Sequence, residues 1–163
     1  MCGLSGIFSA SKIELATIEK FNRSLAHRGP DGEGYALFEN NTLALAHRRL
    51  SILDLSEGGK QPKFSHNNRY CITYNGEVFN FIEIRKELEA DGIKFSTDSD
   101  TEIILEAYQK WGLQAFHKFN GMWAIALWDT VEKKLLLFIN KIFVQKFKLL
   151  KNFSTFVWII LNS

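Results

Sequence analysis

The N-terminal stretch Cys2-Gly3-Leu4-Ser5-Gly6-Ile7-Phe8 decides how the rest of the chain is read. Its short apolar run predicts a strand that starts at the very beginning of the chain. Met1 precedes a small residue, so its removal would leave Cys2 in first place. A terminal cysteine carries a thiol and a free α-amine on adjacent carbons. Thiols titrate near ~8.5 and α-amines near ~7.7–8.0, so the amine can take the thiol proton near neutral pH, directly or through one water. One residue then supplies both nucleophile and base. Taken alone, a free cysteine is more often a small buried hydrophobe.

Composition bounds what such a nucleophile could serve. The chain has 163 residues, room for one domain. A hydrophobic share of 46% with 23% charged residues marks a globular chain rather than a disordered one. The net charge of +2 is too small to imply nucleic acid or an anionic membrane as partner. No apolar run approaches the ~20 residues of a membrane helix, and no basic region precedes one as in a signal peptide. Cys2 and Cys71 cannot build a multi-bridge secreted scaffold, which points to a reducing compartment, the cytoplasm.

Outward from the first strand, Ser11 and Glu14 form a capping-box pattern before Leu15, Ile18, Phe21 and Leu25 at helical spacing. Gly29-Pro30-Asp31-Gly32 ends that helix. Residues 34–38 and 42–47 read as a hairpin around Glu39-Asn40-Asn41, and 49–54 as an apolar segment before Gly58-Gly59. Residues 70–74 read as a strand running into Asn75-Gly76, a turn dipeptide. Two helices follow, boxed by Asn80 with Glu83 and by Ser99 with Glu102, and closed at Gly92 and Gly112. A hairpin of 122–128 and 134–138 completes the pattern. Strands, a helix pair and strands again predict an α+β layered fold, not an alternating parallel sheet. The four histidines are too scattered for a metal-ligand spacing, and Cys71 lies in an apolar strand, so no metal site is expected.

Four ordered segments accompany the terminal cysteine: His27-Arg28-Gly29-Pro30-Asp31-Gly32, Arg49-Leu50-Ser51-Ile52-Leu53-Asp54, Asn75-Gly76-Glu77 and Ser99-Asp100-Thr101-Glu102. Together they resemble the class II glutamine amidotransferases, a branch of the N-terminal-nucleophile hydrolases. The proline in the second segment's predecessor, Pro30, is similar to the asparagine synthetase subgroup. The resemblance implies a four-layer sandwich of antiparallel sheets flanked by helices, and release of ammonia from L-glutamine. It implies Cys2, Asn75 and Gly76 as catalytic residues. Arg49, Leu50, Ser51, Ile52, Leu53, Glu77 and Asp100 are implied as the substrate-binding set.

These residue types suit a zwitterion with a neutral side-chain amide. Arg49 can clamp an α-carboxylate with two parallel N–H bonds, and Asp100, helped by Glu77, can pair with an α-ammonium. The Asn75 amide and the Gly76 backbone N–H can donate to an oxyanion. Each residue alone has a plainer reading: Asn75-Gly76 as a hairpin turn, Asp100 as a helix-start residue, Arg49 as a solvated cation.

The resemblance covers residues 1–138, read as a partial glutamine amidotransferase domain. Residues 139–163 form an atypical basic and apolar tail, carrying +4 with no acidic residue, no glycine and no proline. Where the family continues with an Arg-Asp-x-x-Gly-x-x-Pro run, this chain has Ile139–Lys146. The tail is therefore expected to be foreign to the domain, through truncation or a frameshift. In asparagine synthetases a synthetase domain with a Ser-Gly-Gly-x-Asp-Ser loop uses ATP and magnesium. That loop is not in this sequence, so no cofactor is expected for this chain. Two other readings stay open: a non-catalytic interaction module, and a stand-alone subunit feeding ammonia to a separate synthetase or acceptor enzyme.

Overall fold

Alternation of side chains along the strands sorts the apolar residues into three layers of core, and that sorting produces the architecture. The computed structural model describes residues 2–51, 57–141, 144–150 and 155–160, with the backbone alone at 57 and from 141 onward. The strands are β1 (Gly3–Ser9), β2 (Gly32–Phe38), β3 (Leu43–Arg49), β4 (Lys63–Phe64), β5 (Tyr70–Val78), β6 (Gly121–Asp129), β7 (Lys134–Lys141), β8 (Val144–Leu150) and β9 (Thr155–Ile160). They form two sheets, ordered β2-β3-β1-β9 and β4-β5-β6-β7-β8, in which every pairing is antiparallel.

Leu4, Leu43 and Leu45 of the first sheet pack against Cys71, Ala124, Ala126, Trp128, Leu135 and Leu137 of the second. Their neighbours of opposite parity, Ile7, Ala44 and Ala46, face Ile13 and Ile18 on the outer side. Ile18 belongs to helix α1 (Leu15–Ser24). The outer face of the second sheet, with Ile72, Tyr74, Trp123, Ile125, Leu127 and Phe138, packs on helices α2 (Phe81–Ala90), α3 (Asp100–Trp111) and α4 (Ala115–Lys118). The result is the four-layer α-β-β-α sandwich. Each fully buried Leu or Ile in these seams is worth ~1.5–3 kcal/mol of transfer free energy, so the seams hold the layers together.

Several local expectations change in the folded chain. The capping box at Ser11 and Glu14 does not form: α1 begins at Leu15, with Glu14 as N-cap and no side-chain bond. Ile13 is buried and its N–H donates to the Asn41 carbonyl at 2.7 Å, which keeps this segment docked on the hairpin instead of in the helix. Asn80 does stand at the start of α2, but its amide reaches Lys118 O at 2.9 Å and Asn120 N at 2.8 Å. Ser99 caps α3 through Thr101 N, whereas the Glu102 carboxylate turns to the backbone and hydroxyls of Ser96 and Thr97. Those hydrogen bonds outweigh burial and hold the Glu102 carboxyl below its usual range.

The largest change concerns Asn75-Gly76, which is no turn. β5 runs through both residues to Val78, pairing Asn75 with Ala124 and Gly76 with Trp123. Long-range pairing with β6 overrides the local turn preference of the dipeptide. Past Phe138, β7 extends to Lys141, β8 pairs with β7, and β9 pairs with β1 along Leu4–Ser9. β1 therefore has a neighbour on both sides. No turn, cap or periodicity in the sequence marks an element there.

One buried polar contact ties the two sheets together. His47 Nε2 lies 3.1 Å from the Tyr74 carbonyl, and His47 is 1% exposed. A carbonyl only accepts, so the neutral ring carries its proton on Nε2. Burial pushes the His47 pKa down to about 4, with Arg49 adding to the shift. Its folded pKa lies below the unfolded value of ~6.5, so its stabilising contribution is complete above that value. That contribution is lost progressively as pH falls from ~6.5 toward 4, by roughly 2–4 kcal/mol. Denaturant titrations between pH 7.5 and 4 should show this loss in the parent chain and a flatter profile in His47→Gln.

Candidate active site

Cys2 stands one residue before β1, on the same parity as Leu4, which points into the seam between the sheets. The antiparallel register pairs Gly3 with Arg48, which sets Cys2 beside the end of β3. There the Leu50 N–H donates to Cys2 Sγ at 3.3 Å, and the sulfur lies 3.6 Å from the Leu50 carbonyl. Arg28 Nε donates to the Cys2 carbonyl at 3.2 Å. The thiol and the backbone of Cys2 are thus held from two different segments.

The segment 27–32 braces the residues after β3. Gly29 is packed so closely that a Cβ there would lie 2.3 Å from the Arg48 carbonyl carbon. Asp31 N–H donates to the Arg49 carbonyl at 3.0 Å, and the Asp31 carboxylate accepts from Ser51 N–H at 2.8 Å. Gly59 leaves room for the Arg49 side chain, because a Cβ there would meet Arg49 Nη2 at 2.2 Å. Leu50 therefore lies against Cys2, with Arg49 and Ser51 on either side of it in the chain. Ile52 and Leu53 lie outside the described residues.

A second group forms on β5 and α3. Asn75 has the parity of Cys71, which faces the first sheet, and is 2% exposed. Among the described residues its Nδ2 has no hydrogen-bond partner. Leaving a buried donor unmade costs about 1–3 kcal/mol unless water or a ligand supplies the acceptor. Asp100, 8% exposed, accepts from the Tyr74 hydroxyl at 2.8 Å. Burial pushes the Asp100 carboxyl above its usual range. The Tyr74 hydroxyl and the N–H groups of Thr101 and Val78 pull it back, and the Glu77 charge pushes it further up. Burial and the Asp100 carboxylate raise the Tyr74 phenol well above its ordinary value, so it stays a donor. Glu77 and Gly76 are exposed beside this group.

The two groups are linked through β3 and β5: His47, bound to the Tyr74 carbonyl, is two residues from Arg49, and Tyr74 is one residue from Asn75. His47, Gln61 and Tyr74, and Arg28 and Asp31 individually, carry no role that the sequence alone discloses. Buried polar side chains such as Gln61 and His47 carry no local signature. The segment 27–32, by contrast, was visible as a motif, without the contacts that explain it. Cys71 is fully buried in the seam, where burial pushes its thiol well up. Among the described residues no helix is long and apolar enough to cross a membrane.

Residues 1–146 match the family model of the glutamine amidotransferase domain. The chain is 42% identical over 136 residues to glutamine-hydrolysing asparagine synthetase 1 of Bacillus subtilis, covering 79% of this chain and 21% of that one. It is 36% identical to asparagine synthetase 3 of the same organism, covering 97% and 26%, and 32% identical to asparagine synthetase 1 of Arabidopsis thaliana, covering 98% and 27%. The chain spans about a quarter of the length of these relatives. Its fold is similar to that of glutamine phosphoribosylpyrophosphate amidotransferase from B. subtilis, solved with ADP and GMP. The TM-score is 0.70 at 22% identity, over 85% of this chain and 37% of that one.

Gly76 offers a direct check of the site's backbone. Its φ is 148°, and a Cβ would lie 2.2 Å from the Met122 carbonyl oxygen. Gly92 has φ 85° with nothing within 4 Å of a Cβ. Gly76→Ala should therefore destabilise the chain by more than ~2 kcal/mol in denaturant unfolding, and Gly92→Ala by only about 1 kcal/mol.

Proposed function

We propose the following chemistry for this chain, which belongs to the glutamine amidotransferase domain family: hydrolysis of glutamine to glutamate and ammonia by Cys2. With Met1 removed, the α-amine of Cys2 takes the thiol proton and the sulfur attacks the side-chain amide carbon. The oxyanion is received by Asn75 Nδ2 and the Gly76 N–H. The ammonium of Cys2 passes its proton to the amide nitrogen, and collapse breaks the C–N bond and releases ammonia. Water then attacks the γ-glutamyl thioester and releases glutamate and the thiol. The balance needs only glutamine, one water and the chain's own groups.

Arg49 takes the α-carboxylate, with Leu50, Ser51, Ile52 and Leu53 alongside, and Asp100 with Glu77 takes the α-ammonium. The observation that carries the reading is the buried Asn75 amide. Among the described residues its donor lacks a partner, and it belongs to the face turned toward the sheet that carries Cys2. The relatives named above are asparagine synthetases, which favours a synthetase reaction as consumer of the ammonia. ATP and magnesium would serve that reaction and not the hydrolysis. The acceptor partner is a synthetase activity, on a separate subunit or on a longer form of the chain. The free thiols Cys2 and Cys71 suit the reducing cytoplasm.

Ammonia release from glutamine by the purified, Met1-processed chain tests this reading. Cys2→Ala should abolish turnover, and Asn75→Ala should lower kcat by ~10²–10³. A folded, processed chain without turnover would overturn it in favour of the non-catalytic module. Binding of the ammonium requires ionised Asp100, whose carboxyl is raised by burial. The KM for glutamine should therefore rise as the pH is lowered, beginning at a higher pH than an ordinary carboxylate would give.

A further inference from the structure

We infer that Tyr74 and Gln61 are positioning residues that fix the span between the oxyanion donors and Asp100, and so select an α-amino amide of glutamine's length. The inference rests on the roles proposed above for Asn75 and Asp100. All three polar groups of Tyr74 are engaged. Its hydroxyl donates to Asp100 Oδ2 at 2.8 Å, its N–H donates to Gln61 Oε1 at 2.6 Å, and its carbonyl meets His47 Nε2 at 3.1 Å. Gln61 Nε2 in turn reaches Thr101 Oγ1 at 3.3 Å. Tyr74, Gln61, Asp100 and Thr101 are 3%, 9%, 8% and 3% exposed, so water does not substitute readily for these bonds.

The consequence is geometric. Tyr74 is covalently joined to Asn75, and Thr101 to Asp100. Two links, one direct hydrogen bond from Tyr74 to Asp100 and one relay of two hydrogen bonds from Tyr74 through Gln61 to Thr101, therefore bind the strand bearing the oxyanion donor to the helix end bearing the ammonium anchor. α3 cannot shift along β5 without breaking both. Glutamine and asparagine share the amide, the ammonium and the carboxylate and differ by one methylene in the distance between them. A pocket discriminates one methylene by roughly 10- to 200-fold, and only if its two ends are held at a fixed spacing. Loss of either link loosens that spacing without removing a group that touches substrate.

Calorimetric binding in a Cys2→Ala background tests this with three ligands: glutamine, asparagine, and 4-carbamoylbutanoate, which is glutamine without its ammonium. Tyr74→Phe should weaken glutamine binding about 5- to 20-fold, on the order of one charged-group hydrogen bond, and leave 4-carbamoylbutanoate within twofold. Gln61→Met and Thr101→Val should each narrow the preference for glutamine over asparagine severalfold, and Thr101→Ser should restore the parent preference. Thermal unfolding of each variant accompanies the titrations, and Thr101→Ser against Thr101→Val serves if Tyr74→Phe fails to fold. Equal weakening toward glutamine and 4-carbamoylbutanoate, or an unchanged preference over asparagine, would overturn the inference alone. Failure of the Cys2→Ala chain to bind glutamine at all would overturn the proposed roles of Asn75 and Asp100, and the inference with them.

Discussion

The buried contact between His47 and the Tyr74 carbonyl is the point on which the site depends, because it is where the two sheets are locked in relative position. Apolar seams hold layers together, but they are non-directional and tolerate small slides. A hydrogen bond at 3.1 Å with a 1% exposed imidazole does not. It fixes β3, which leads into Arg49 and Leu50, against β5, which leads into Asn75 and Gly76. The cost is a histidine kept neutral, since burial disfavours its charged form.

From that contact outward, the site is a set of backbone positions held by side chains of other segments. Cys2 is caught between Leu50 and Arg28, Ser51 is held by Asp31, and Asp100 is held by Tyr74. Glycines act as spacers at Gly29, Gly59 and Gly76, where a side chain would collide with neighbouring groups. The groups come from strand ends, a helix end and the segments between them, so each is placed by hydrogen bonds to a segment distant in the chain.

The polar network also explains why the first turns of α3 are buried although they contain Asp100, Thr101, Glu102 and Glu106. A helix with that sequence would be drawn with a solvated face. Here Glu102 satisfies Ser96 and Thr97, Asp100 is satisfied by Tyr74, and His66 lies 3.1 Å from Glu102 and 3.2 Å from Glu106. Buried carboxylates are tolerated when such partners replace water.

What the sequence determined by itself is the order of chemistry along the chain and most of its elements. Cys2 and the ordered motifs are legible through their resemblance to the family, and the hairpin at Glu39-Asn40-Asn41 and the helix starts at Asn80 and Ser99 follow from local rules of turn, cap and periodicity. Those rules hold because they concern neighbours in the chain. The tertiary structure decided what depends on partners distant in sequence. Asn75-Gly76 became strand because β6 pairs with it, and Ser11 lost its cap because Ile13 is pulled into the core. The pairing of residues 155–160 with β1 depends on an edge presented more than a hundred residues away. Gln61, Tyr74 and His47 acquired their roles only in the fold, since a buried hydrogen bond is a relation between two surfaces and neither sequence segment encodes it alone.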